Sequence, residues 1–173
     1  MLNKLTIVEA VKGLKKKEFS CTELIEAHIE AIKEAHYLNA FITDTFSAAK
    51  KQAQESDRRI LNGEARKLEG IPVAVKDIFC TENIKTTCAS KMLENFIPTY
   101  ESTVTKKLFE SGTIMLGKTN MDEFAMGSAN IYSNFGAAIN PWRKNNSNDN
   151  LVPGGSSGGS AIAIAARLSM GAL

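Results

Sequence analysis

The 173-residue sequence predicts one α/β domain, with strands and helices layered around a single core. Three observations carry that expectation. Ser20 and Glu23 form a capping signature ahead of a helical stripe of Leu24, Ile25, His28, Ile32 and Ala35. The run "IPVAVKDIF" (71–79) is apolar and β-branched, as buried strands are. A second such run, "TIMLGKT" (113–119), follows a helical stretch, the alternation expected of layered α/β folds.

Taken in order, the first third reads as helix. The lysines of "KGLKKKEF" (12–19) are expected on a solvated helix end. His28 lies on the apolar stripe, which favours a core or boundary histidine over a ligand or base. A short strand is predicted over 39–43 ("NAFIT"). A polar helix should run from about Ser47 to Leu61 and stop at Asn62 and Gly63. After the strand at 71–79, irregular sequence extends to about Thr99. A helix is predicted from Ser102 to Ser111, stopped by Gly112, and the strand 113–119 follows. "NNSNDN" (145–150) should be a polar loop. An alanine-rich helix is expected from Ser157 to about Ser169, its small side chains permitting close approach of a neighbour. No internal repeat is present.

Bulk properties narrow the function classes. A net charge of +2 gives no electrostatic basis for nucleic-acid binding by this chain alone. No apolar stretch has the length of a membrane span. The N-terminus lacks the apolar core of a secretory signal, and Glu9 with no early arginine argues against a transit peptide, so a cytoplasmic location is expected. Cys21, Cys80 and Cys88 are odd in number and lack metal-ligand spacing. They are expected to be reduced, with no metal site, although Cys80 and Cys88 could pair in an oxidising setting.

"GTIMLGKT" (112–119) satisfies the phosphate-loop pattern G-x-x-x-x-G-K-[ST] letter for letter. Its mechanics fail. The inner residues Thr113 to Leu116 are the predicted strand, whose N–H groups are committed to a ladder, so Lys118 is not expected to bind nucleotide.

Lys76 is harder to place. An ammonium inside an apolar strand is costly unless it is paired or neutral. Pairing with Asp77, or snorkelling from the strand end, would satisfy it without any chemistry. Alternatively, desolvation could release its proton and leave a general base able to act with a serine. In "VPGGSSGGSAIAIAA" (152–166), glycines flank Ser156 and Ser157 at a predicted helix start. That arrangement suits either a plain cap or a site where negative charge develops.

"GIPVAVKDIF", "GKTNMDEFAMGS", "NPW" and "VPGGSSGGSAIAIAA", in this order, closely resemble the amidase signature family. The resemblance implies a mixed β-sheet covered by helices and a Ser–cis-Ser–Lys triad that hydrolyses amides. Lys76 matches the family's lysine and Ser156 its cis-serine, which relays a proton between nucleophile and lysine. Ser157 would be a supporting hydrogen-bonding residue, and Met126, Gly127 and Ser128 would line the substrate pocket. The family's nucleophilic serine belongs to a second glycine-rich segment that these residues do not include, so the chain alone is expected to be inactive. On this resemblance, 1–173 is the N-terminal part of a single amidase domain, with 1–65 its helical N-terminal region and 66–173 the start of its core. The apolar ending "AIAIAARLSMGAL" accords with a capping helix or with a piece of something longer.

Within the family, "KTNMDEFAMGS" resembles the glutamine-hydrolysing subunits of tRNA-dependent amidotransferases. That implies a heterotrimer with a tRNA-handling subunit and a small third subunit. Glutamine would supply ammonia for converting Glu-tRNA(Gln) to Gln-tRNA(Gln). The chain itself would hold no cofactor, and ATP and magnesium would be used by the tRNA-handling partner. A stand-alone amidase for another small amide and a non-catalytic assembly module are the alternatives. Two stretches depart from the family pattern. Leu151 stands near the place of a common arginine, after the long loop "RKNNSNDN", and "SANIYSNFG" lacks the usual acidic residue.

Overall fold

The computed structural model describes residues 1–145 and 149–173. Residues 146–148 of the polar loop expected over 145–150 lie outside the described residues.

Two helices, α1 (Ile7–Lys16) and α2 (Cys21–Glu34), open the chain, and each starts on a reciprocal capping box. The Ser20–Glu23 box is the one the sequence predicts. The second, Thr6–Glu9, obeys the same rule and starts α1. Helix α1 ends where Lys17 turns left-handed, leaving the lysines of its last turn exposed. Helix α2 buries Cys21, Leu24, Ile25, His28, Ile29 and Ile32. His28 is wholly buried, with Nδ1 2.9 Å from the Leu24 carbonyl, and burial lowers its pKa. It is a core histidine.

Strand β1 (Phe41–Asp44) leads into α3 (Phe46–Leu61). From α3, the Asp57 carboxylate accepts the Cys21 N–H (2.6 Å) and the Thr22 hydroxyl (2.7 Å) at the α2 N-terminus. A negative charge there complements the helix dipole and locks the two helices together.

The sheet has the order β1-β3-β2-β4, with β2 spanning Pro72–Lys76, β3 Ile114–Thr119 and β4 Gly171–Ala172. β2 is parallel to both neighbours, whereas β1 is antiparallel to β3, so the sheet is mixed. Every residue of β2 and β3 is buried, which is why both read as unbroken apolar runs rather than alternating ones. Helix α4 (Thr103–Glu110) connects them. Ala74, Ile114 and Leu116 join α1, α2, α3 and α5 (Gly158–Ala165) in the main core.

Two element ends and one added strand depart most from the sequence expectation. β2 stops at Lys76 rather than at 79: the Asp77 N–H makes the last bond to β3, at the Thr119 carbonyl (3.2 Å), while the Asp77 carboxylate turns to Thr87 and Lys118. α5 ends at Ala165, not near Ser169. Arg167 is left-handed (φ 59°), and the Leu168 N–H folds back to the Ala163 carbonyl at 2.8 Å, closing the helix. The residues beyond it form β4, an edge strand the alanine-rich composition concealed.

The phosphate-loop pattern proves structural at each defining position. Gly112 has φ 105°, and a methyl group there would lie 2.8 Å from the Glu69 backbone. At Gly117 a methyl would lie 2.5 Å from the Thr43 carbonyl, so glycine lets β1 approach β3. Lys118 is fully buried. Its Nζ donates to the Phe79 carbonyl (2.8 Å) and the Thr86 hydroxyl (2.7 Å), and lies 3.4 Å from Asp77 Oδ1.

Candidate active site

Lys76 is the last residue of β2, and the strand delivers its side chain to the segment that precedes α5. Only 9 % of Lys76 is exposed, and its Nζ donates to the Ser156 hydroxyl at 2.7 Å. The Gly155–Ser156 peptide bond is cis. Desolvation lowers the Lys76 pKa, and the negative charge of Asp122 partly opposes that shift. Asp77 is not its partner. That carboxylate accepts the Thr87 N–H (2.9 Å) and hydroxyl (2.5 Å) and faces Lys118. Of the roles open to Lys76 in the sequence, the structure therefore removes pairing with Asp77. It leaves a dry amine in contact with a serine.

Close backbone packing sets this geometry. A methyl at Gly155 would fall 2.2 Å from Asp122 Oδ2 and 2.6 Å from the Ala129 nitrogen. At Gly158 it would fall 2.5 Å from the Asn130 side chain, and at Gly159 2.5 Å from the Ala40 carbonyl. Glycines are needed here for space. The Gly159 N–H bonds both the Asn120 carbonyl and Asn130 Oδ1, each at 3.0 Å, and fixes the first turn of α5.

The other predicted residues are placed unevenly. Ser128 adjoins the site, its carbonyl carbon 2.7 Å from where a Gly155 methyl would lie. Met126 is 81 % exposed, and Gly127 packs on the Asp122 side chain, where a methyl would meet Cγ at 2.4 Å. Ser157 is exposed at the N-cap of α5, and its hydroxyl forms no cap bond. Leu151, in the place of the common arginine, is also exposed, and its carbonyl accepts the Asn140 N–H at 2.9 Å.

Two residues of the site are missing from the sequence reading, Asp122 and Asn130. Both are wholly buried. Asp122 lies inside the otherwise recognised "KTNMDEFAMGS", where nothing in the sequence marks its carboxylate as buried. The described cysteines are all free thiols, and burial raises the pKa of both Cys21 and Cys88. Among the described residues, no three His, Cys, Asp or Glu side chains are grouped to hold a metal, and no helix is long and apolar enough to cross a membrane.

The sequence pattern of the amidase family matches residues 23–173. The chain is 54 % identical over 172 residues to a glutamyl-tRNA(Gln) amidotransferase subunit from Rickettsia bellii, covering 99 % of this chain and 35 % of that protein. It is 56 % identical over 171 residues to the same subunit of a Bradyrhizobium species, again with 99 % and 35 % covered. The chain thus spans about a third of the length of these curated relatives. The solved structure of this subunit from Thermotoga maritima superposes with a TM-score of 0.76 at 36 % identity, covering 99 % of this chain and 34 % of that one. Native peptide amidase of Stenotrophomonas maltophilia gives 0.83 at 29 % identity, covering 96 % and 35 %.

Proposed function

Because this chain belongs to the amidase family, we propose that Lys76 and Ser156 are the general base and proton relay of an amide-hydrolysing centre. The observation that carries this reading is the 2.7 Å contact between a nearly buried amine and the Ser156 hydroxyl. Neutral Nζ would take the Ser156 proton as Ser156 takes that of the attacking serine, and would return it to the leaving nitrogen.

We further propose, from the identity to curated subunits, that the whole protein hydrolyses glutamine for a tRNA-dependent amidotransferase. The nucleophile would attack the side-chain amide, ammonia would leave, and water would release glutamate from the acyl-enzyme. A tRNA-handling partner, assembled with a small third subunit, would use ATP and magnesium to place that ammonia on Glu-tRNA(Gln). A cytoplasmic setting accords with this role.

The decisive experiment measures glutamate release by the whole assembly, with and without Glu-tRNA(Gln). Stimulation by the charged tRNA is expected. Turnover of other small amides but not of glutamine would instead favour a stand-alone amidase, a reading supported by the likeness to peptide amidase. The 173 residues include no second glycine-rich segment of the kind that carries the nucleophile, so we expect no glutamate release from this chain alone. Release that is lost in Lys76→Ala would refute that expectation.

A pH dependence follows from the direction of the Lys76 shift. The base works unprotonated, so kcat should rise with pH through the Lys76 pKa. Desolvation lowers that pKa, so the rise should be centred below the pKa of an ordinary lysine. A rise centred at or above it would contradict a desolvated base.

A further inference from the structure

We propose that Asp122 is a positioning residue for the Lys76–Ser156 pair, its carboxylate fixing the loop beneath Gly155 and presenting a buried negative charge to the amine. The proposal rests on the role given above to Lys76.

Asp122 is wholly buried, and the local chain is arranged around it. Its carboxylate accepts three successive backbone N–H groups, from Asn130 (2.8 Å), Ile131 (3.1 Å) and Tyr132 (3.2 Å). Its own N–H donates to the Ser156 carbonyl at 3.2 Å. One residue therefore holds the relay serine by its backbone and the neighbouring loop by its side chain. A methyl at Gly127 or Gly155 would strike that side chain, so glycine at both positions makes room for it. Asn130 extends the arrangement, because its Oδ1 accepts the Gly159 N–H in the first turn of α5.

The charge has a separate consequence. The negative charge of Asp122 favours the ammonium form of Lys76. Desolvation acts on Lys76 in the opposite sense and is the larger influence. Asp122 would thus set how far the amine's proton affinity falls. The other charged groups packed around β2 are engaged elsewhere. Asp77 and Lys118 face each other, and Cys80 and Cys88 act on that pair.

The test is lysine side-chain NMR on the whole protein, following Lys76 through its titration. In Asp122→Asn the Lys76 midpoint should move to lower pH, because the charge favouring the ammonium is gone. An unmoved midpoint, in a variant whose circular dichroism matches the parent, overturns the proposal. Should Asp122→Asn fail to fold, the parent still decides the matter. The Asp122 carboxyl carbon should inflect at the Lys76 midpoint, and that inflection should vanish in Lys76→Met. A flat trace through the Lys76 titration overturns the proposal. Neither readout needs turnover, so a failure of glutamine hydrolysis and a failure of this inference are separately visible.

Discussion

Lys76→Met, introduced into the whole assembly, is expected to lower kcat for glutamine hydrolysis by about 10²- to 10⁴-fold, with KM little changed. Methionine keeps the apolar stem at the end of β2 and removes the amine that contacts Ser156 at 2.7 Å. The lost interaction is a proton transfer, which matters in the transition state and hardly at all in the substrate complex. Lys76→Arg sharpens the test. A guanidinium stays protonated at any working pH, so it supplies the charge without the base. Both variants should be inactive to a similar degree. An arginine variant within about tenfold of the parent would mean that Lys76 acts as a fixed cation, and the relay through Ser156 would fall.

Lys76 and Ser156 each drew notice through contradictory local signals, but it was the family resemblance that joined them as a pair. A lysine within "IPVAVKDIF" and a serine between glycine pairs each violate what a strand or a linker would ask of the sequence. Such violations gather at sites where chemistry overrides packing. Lys118 gave the same signal within "TIMLGKT", yet it is a structural residue. Only the contact with Asp77, forty-one positions earlier in the chain, separates the two cases. Periodicity cannot supply that information. Asp122 was illegible for a related reason, since its partners are backbone N–H groups eight to ten residues on, and backbone groups leave no mark in a sequence. Helices were read well where caps and stripes agreed, as at Ser20–Glu23. β4 was lost because it is only the two residues Gly171–Ala172, too short for a periodic signal, and the break at Arg167 lacks a glycine or proline to announce it.

Lys118→Met should be strongly destabilising, costing about 3–5 kcal/mol in urea denaturation. Both Lys118 and Asp77 are fully buried, 3.4 Å apart. Removing the ammonium strands more than one group. Asp77 Oδ1 makes no hydrogen bond among the described residues and has the Lys118 charge as its ion-pair partner. The Phe79 carbonyl and the Thr86 hydroxyl each lose the donor they share. A buried carboxylate left without a counter-charge accounts for the larger part of the expected loss. That attribution is separable. Asp77→Asn removes the charge while keeping an oxygen for the Thr87 N–H, so the double variant Lys118→Met/Asp77→Asn should recover at least about 1 kcal/mol relative to Lys118→Met alone. No recovery would place the cost in lost hydrogen bonds and packing instead. A loss below about 1 kcal/mol for the single variant would mean the pair contributes nothing to the fold. The effect should reach the catalytic side as well. Lys118 and Asp77 together hold the turn from Phe79 to Thr87 that leaves β2 directly after Lys76. Loosening that turn frees the strand end that aims the Lys76 amine at Ser156. In the whole assembly, Lys118→Met should therefore lower kcat even at temperatures where the protein remains folded.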